Sequence, residues 1–328
     1  MTEPTLPHNI DIAVLVPCYN EETTISSVVH DFRKAMPSAT IYVYDNNSTD
    51  KTVEVAKEAG AVVQTEPLQG KGNVVRRMFA DIEADVYVMV DGDDTYDASA
   101  APMMVQKLLD ENLDILNGKR IHKEAEAYRI GHQFGNTLLT SLVAIIFGNR
   151  FEDMLSGYKI FSYRFAKSFP NLSSGFEIET ELTIHALELR MPVAEIETHY
   201  GARPEGSESK LSTFADGFRI LKTIAILIKE ERPLQFFSSL FGLFVLCSVV
   251  ISIPLITTYL ETGLVPRQPT AILATGLMLL GFMCLACGLI LDTVTRGRQE
   301  FKRLQYLSVR HTRLVNRRVA PDQAPVQE

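Results

Sequence analysis

Two stretches of this chain carry no charged residue at all: Phe236–Tyr259, 24 residues, and Ala271–Leu291, 21 residues. A helix of about 20 apolar residues crosses the hydrocarbon core of a bilayer, so both are long enough to span, and a purely soluble protein is not expected. The short connection Leu260–Gln268 makes them a tight hairpin. Lys222, Lys229 and Arg232 precede it, and Arg296, Arg298, Lys302 and Arg303 follow it. An excess of Lys and Arg marks the cytoplasmic side of a span. Both termini and the bulk of the chain are therefore expected in the cytoplasm, at the inner membrane of a bacterial cell. The first residues lack the basic-then-apolar pattern of a signal peptide.

Charge narrows the partners. Forty acidic against 32 basic residues give a net charge of −8, which argues against a nucleic-acid binder working through a broad basic surface. The cysteines, Cys18, Cys247, Cys284 and Cys287, imply no disulfide framework. Cys284 and Cys287 have the spacing of a redox pair but lie inside an apolar run, where small residues packing a helix are the simpler reading.

Over the first 120 residues strand and helix patterns alternate. Ile12–Val16, Ile41–Tyr44, Ala61–Thr65, Val86–Val90 and Leu113–Asn117 read as strands, and Thr23–Ala35, Asp50–Ala59, Gly72–Ile82 and Pro102–Asn112 as helices, with Ser48 or Thr49 placed to cap the second. Near-continuous apolar strands between helices predict an α/β fold with a parallel sheet covered on both faces. Ligands bind such sheets beyond the carboxyl ends of the strands, where Asp45 and Asp91 fall. After residue 120 the alternation stops. Ile130–Gly148 is apolar but too short to span, and Phe214–Lys229 has the pattern of an amphipathic helix lying in the membrane interface.

Val86-Tyr87-Val88-Met89-Val90-Asp91-Gly92-Asp93 is the strongest chemical signal. Two carboxylates two residues apart, just past a buried strand, can converge on one hard divalent cation that shares its remaining positions with substrate phosphate. Such a site suits a departing diphosphate. Tyr19 and Glu21 after the first strand, and Asp45 after the second, are groups able to stack on and hydrogen-bond a base and ribose. Turn and cap chemistry explains the same residues individually.

Taken in order, Val16-Pro17-Cys18-Tyr19-Asn20-Glu21, Asp45-Asn46-Asn47-Ser48-Thr49-Asp50, Gly70-Lys71-Gly72 and Asp91-Gly92-Asp93 resemble the signature of family-2 glycosyltransferases with the GT-A fold. Asp153-Met154-Leu155-Ser156-Gly157-Tyr158-Lys159, Gly175-Phe176-Glu177-Ile178-Glu179 and the run Arg203 to Lys210 are similar to the polyprenyl-phosphate glycosyltransferases, the dolichyl-phosphate mannosyltransferase group and its bacterial relatives with a membrane hairpin.

The resemblance implies a GT-A, Rossmann-like, mostly parallel catalytic domain over residues 1–212, an interfacial helix over 213–234, two spans within 235–292 and a basic tail over 293–328. It implies that Pro17, Tyr19, Glu21, Asp45, Lys71 and Asp91 hold a UDP- or GDP-linked sugar, and that Asp91 and Asp93 hold Mg2+ or Mn2+. By the same resemblance Asp153 faces the sugar, while Arg120, Arg203 and Lys210 receive the phosphate of a polyprenyl acceptor. Three positions depart from the pattern: Asn46 replaces a second aspartate, Thr95 a glutamine, and Lys159 an arginine. Glu177 and Glu179 fit helix capping equally well.

The activity implied is inverting transfer of a single sugar to polyprenyl phosphate, for cell-envelope glycans, with homo-oligomers associating through the spans. A processive polysaccharide synthase would carry a Gln-x-x-Arg-Trp motif, and this chain has no tryptophan. A catalytically inactive membrane scaffold with the same fold would not need Asp91, Asp93, Asp153, Arg203 and Lys210 intact.

Overall fold

The computed structural model describes residues 10–122, 141, 143, 150–170, 175, 177–201, 226 and 229–309. The chain divides into two compact units, Met1–Thr213 with Lys302–Glu328, and Phe214–Phe301.

In the first unit the described strands are β1 (Ile12–Cys18), β2 (Thr40–Asp45), β3 (Val62–Thr65), β4 (Val86–Met89), β5 (Ile115–His122), β6 (Lys159–Ser162) and β7 (Val193–Tyr200). They form one sheet in the order β3-β2-β1-β4-β6-β5-β7. The helices are α1 (Ile25–Ala35), α2 (Thr52–Glu58), α3 (Lys71–Asp81), α4 (Ala101–Asp110), α5 (Tyr163–Ser168) and α6 (Ile178–Glu188). β1, β2, β3 and β4 pair in parallel, as do β5 and β7. β6 runs antiparallel between β4 and β5.

Burial explains the strands. Val14, Leu15, Val16 and the whole of Val86–Met89 are 0% exposed, the mark of strands covered on both faces. On one face Val14, Val16, Val86 and Val88 pack against Ile25, Val28, Val29 and Phe32 of α1 and Met104, Val105, Leu108 and Leu109 of α4. Both helices repeat apolar residues at the three- and four-residue spacing of a single stripe. Tyr87 and Phe161, directly opposed in the β4–β6 register, point the other way and meet Phe79 of α3 edge-on at 5.8 and 5.5 Å.

Two expectations need correction. Neither Ser48 nor Thr49 caps α2: the Ser48 hydroxyl accepts from the Asn20 amide at 2.8 Å, and Asp50 accepts from Thr52 N at 3.0 Å instead. The sheet is mostly parallel, as expected, and among the described strands β6 alone runs antiparallel to its neighbours. Regular structure also continues past residue 120, with β5 reaching His122 and β6, α5, α6 and β7 following. The stretch Ile130–Gly148 and the helix expected over Phe214–Lys229 lie almost wholly outside the described residues.

The second unit contains α7 (Pro233–Thr262) and most of α8 (Gln268–Ser308). Only 6% and 17% of their apolar windows are buried, so neither is a core helix; both are long and apolar enough to cross a membrane. They pack closely. A Cβ at Gly288 would lie 2.9 Å from Phe237 Cβ, and Ser248 donates to the Ala274 carbonyl at 2.7 Å. Gly263 ends α7 at a φ of +68°, a conformation that favours glycine.

Candidate active site

The acidic residues gather at the carboxyl edge of the sheet because each follows a strand whose register is set by burial. Asp45 ends β2; it is 3% exposed, and its carboxylate accepts from Ser48 N at 3.3 Å. Pro17 lies in β1 opposite Tyr44, and Tyr19, 36% exposed, follows that strand. Glu21 begins the turn into α1: its amide donates to Thr52 Oγ1 at 2.8 Å and its carbonyl accepts from Ile25 N at 3.0 Å. Thr24 then ties this turn to the β4 edge, donating to the Gly92 carbonyl at 2.7 Å. Gly92 is required there, since a Cβ would approach Cys18 Sγ to 2.7 Å.

Asp91 meets two partners. Its Oδ2 would be 2.2 Å from a Cβ at Gly157, so only glycine lets the 153–157 loop lie against that carboxylate. Its Oδ1 pairs with Lys71 at the start of α3, and the same ammonium pairs with Glu179 in the first turn of α6. Burial disfavours charge on Lys71, but Asp91 and Glu179 outweigh it and hold the ammonium above the ordinary lysine range. Glu179 is thus engaged with a buried cation, a role that helix capping does not describe.

Asp93 is 4% exposed, and its Oδ1 accepts from the Thr95 hydroxyl at 2.6 Å. Asp91 and Asp93 offer hard oxygen donors of the kind Mg2+ and Mn2+ take. Among the described residues no group of three or more His, Cys, Asp or Glu could hold a metal. Two carboxylates suit a cation that shares its remaining positions with a ligand's phosphate oxygens.

The 153–157 loop carries a second centre. Arg120 in β5 forks the Asp153 carboxylate, Nε to Oδ2 at 2.7 Å and Nη2 to Oδ1 at 2.8 Å. Burial alone would raise the Asp153 pKa; the hydrogen bonds and charge of Arg120 overcome it and hold the carboxyl below the usual carboxylate range. Contacts link the two centres: Gly157 N donates to Tyr96 Oη at 2.8 Å, Tyr96 meets Tyr200 edge-on at 5.0 Å, and Arg120 lies over the Tyr200 ring at 5.5 Å. Arg203 and Lys210 lie outside the described residues, as does Phe176.

Several participants escaped sequence reasoning. Asn46 uses its whole side chain on the loop before α3, donating to the carbonyls of Glu66 and Leu68 at 2.9 and 2.8 Å and accepting from Gly70 N at 2.6 Å. An aspartate could not make the two donations. Tyr96, Asn117 and Glu195 carry no local motif; the one hint in sequence was a polar Asn117 directly after the apolar pair Ile115 and Leu116.

The glycosyl transferase family 2 model matches residues 13–169. Glycosyltransferase AglJ of Haloferax volcanii is 30% identical over 299 residues, covering 90% of this chain and 98% of its own. A dolichyl-phosphate hexose transferase of the same organism is 30% identical over 233 residues, 71% of this chain and 99% of its own. Among solved structures, glucosyl-3-phosphoglycerate synthase of Mycobacterium tuberculosis in complex with Mn2+, UDP-glucose and phosphoglyceric acid has a TM-score of 0.56 at 24% identity, covering 67% of this chain and 79% of that one. That likeness is one of fold.

Proposed function

The chain belongs to glycosyltransferase family 2, and from that premise we propose that it moves one sugar from a UDP- or GDP-linked donor to a polyprenyl phosphate at the cytoplasmic face of the membrane. Three things support this reading. One relative is named for hexose transfer to dolichyl phosphate, a structural neighbour was solved with Mn2+ and UDP-glucose, and two helices suit a membrane-held enzyme. The observation that carries it is the direct contact between the Asp91 carboxylate and the loop bearing Asp153, which joins a hard-oxygen site to an ionised carboxylate.

In this proposal Pro17, Tyr19, Glu21 and Asp45 hold the nucleoside, and Asp91 and Asp93 hold a Mg2+ or Mn2+ ion. When bound, that ion supplies positive charge that stabilises the departing diphosphate. Asp153, kept ionised by Arg120, faces the sugar. Arg203 and Lys210 aim the acceptor phosphate, whose second pKa of about 6 leaves it already ionised and in little need of a general base. A phosphate oxygen attacks the anomeric carbon, the bond from that carbon to the diphosphate breaks with its electron pair, and the configuration inverts.

The test is product analysis by mass spectrometry after membranes bearing the full chain are incubated with polyprenyl phosphate and a panel of nucleotide sugars. One added sugar per lipid phosphate, with release of the nucleoside diphosphate, is expected. Polymers of sugar, or no transfer from any donor, would overturn the proposal.

A further inference from the structure

The register of the sheet lines up three polar residues from distant parts of the sequence. Lys159 of β6 opposes Asn117 of β5, and Asn117 opposes Glu195 of β7. Lys159 and Asn117 are both 0% exposed. Their bonds reach the loop before Gly157. Lys159 donates to Asn117 Oδ1 at 2.6 Å and to the Met154 carbonyl at 3.2 Å. Asn117 passes its amide hydrogens to the Asp153 carbonyl and to Glu195 Oε1, each at 2.7 Å. Glu195 in turn accepts from Asp153 N at 3.1 Å and from Glu152 N at 2.8 Å.

Four backbone groups of residues 152–154 are therefore tied to side chains on three strands. We infer that Lys159 and Glu195 are positioning residues for sugar transfer, forming with Asn117 a three-strand cradle that fixes residues 152–154 and so aims the Asp153 carboxylate; the inference rests on the role proposed for Asp153 above. Burying an ammonium costs desolvation that its hydrogen bonds must offset. Its surroundings agree: burial pushes Lys159 down to about 8, against the opposing pull of Asp153, Glu179 and Glu195 and with Arg120 adding to the fall. The cation is placed for its two hydrogen bonds, and no carboxylate among the described residues is bonded to it directly.

A cradle that aims a carboxylate acts on the transfer step and leaves the nucleotide site alone. In the full-length chain, Lys159→Met should lower kcat about tenfold to a hundredfold, while the donor KM and the UDP affinity measured calorimetrically with Mn2+ stay within about threefold. Lys159→Arg, which keeps charge and two donors, should recover at least a third of the lost rate. Glu195 is only partly buried, so Glu195→Ala keeps the test alive should Lys159→Met fail to fold; it should lower kcat about tenfold with the same unchanged UDP affinity. Unchanged kcat in both variants would overturn the inference, and so would a parallel fall of kcat, UDP affinity and melting temperature, the pattern of simple structural damage. Failure of the wild-type chain to glycosylate polyprenyl phosphate would instead count against the acceptor assignment, which the comparison of variants on any accepted donor reaction keeps separate.

Discussion

Tyr306, near the end of α8, donates its phenolic hydrogen to Asp114 Oδ2 at 2.7 Å, across 192 positions of sequence. Asp114 leads into β5 and accepts at its other oxygen from Ser162 Oγ at 2.7 Å. The guanidinium groups of Arg164 and Arg303 both lie over the Tyr306 ring, at 4.5 and 5.1 Å. Lys302 pairs with Glu188 at 2.6 Å, and Arg303 donates to the Leu189 carbonyl at 2.7 Å. The last turns of α8 are thus part of the first unit, not a solvated tail.

Tyr306→Phe should consequently destabilise that unit. It leaves a buried carboxylate oxygen without its donor, a loss of about 1–3 kcal/mol. Burial and Asp114 push the phenol up to about 12, so it remains a donor over the working range. Thermal unfolding of the solubilised chain should show a lower midpoint; an unchanged one would mean that the hydrogen bond contributes nothing net.

A second prediction concerns pH. His185 is 2% exposed and stands edge-on to Phe165 and Phe169 at 5.7 and 5.3 Å, and neither ring nitrogen has a hydrogen-bond partner among the described residues. Burial, with the charge of Lys302 adding to it, pushes the imidazole down to about 3. An unfolded histidine titrates near 6.5, so between these values the unfolded chain binds the extra proton. The stability from this residue is complete above pH 6.5 and is lost as pH falls toward 3, roughly 3 kcal/mol by pH 4. His185→Phe should flatten that acid limb of the unfolding midpoint, and an equally steep limb in the variant would assign it to other groups.

How much of this was legible in the sequence follows from the range over which each feature is determined. β1 and β4 were legible because complete burial makes a run such as Val86–Val90 apolar at every position. The turn carrying Asp91 and Asp93 was legible because its residues are neighbours in sequence. The pairing of Lys71 with Glu179 was not, since an acid in the first turn of α6 is already accounted for by the helix dipole. The Lys159–Asn117–Glu195 row was hidden for another reason: it exists only through strand register, and a four-residue antiparallel strand leaves no periodicity to read.

Asn46 tests the departure from the resembling pattern. Asn46→Asp restores the carboxylate but turns two donors toward carbonyl oxygens into acceptors, at about 1–3 kcal/mol each. The loop from Glu66 to Gly70, which leads directly to Lys71, should loosen. UDP affinity by calorimetry should weaken about tenfold. Unaltered affinity would mean that the loop holds its place without the amide.

Topology gives a fourth expectation. Tags at residue 2 and residue 328 should be shielded from a membrane-impermeant reagent in intact cells, while a tag in the turn Gly263–Arg267 between α7 and α8 should react. The basis is the placement of Lys and Arg outside both apolar stretches. Labelling at either terminus would overturn the cytoplasmic placement.

The last expectation addresses the metal. In Asp93→Asn the amide oxygen can still accept from Thr95, whose hydroxyl lies 2.6 Å from Asp93 Oδ1, so the fold should survive with a melting midpoint near that of the wild type. What disappears is one of two negative charges available to a divalent cation. Mn2+ binding in the presence of UDP, followed by calorimetry, should weaken at least about tenfold, and sugar transfer should fall by about a hundredfold or more at ordinary Mg2+. Raising the cation concentration should recover part of the rate if the loss is one of binding. A variant that transfers sugar at the wild-type rate throughout a Mg2+ and Mn2+ titration would remove Asp93 from the metal site.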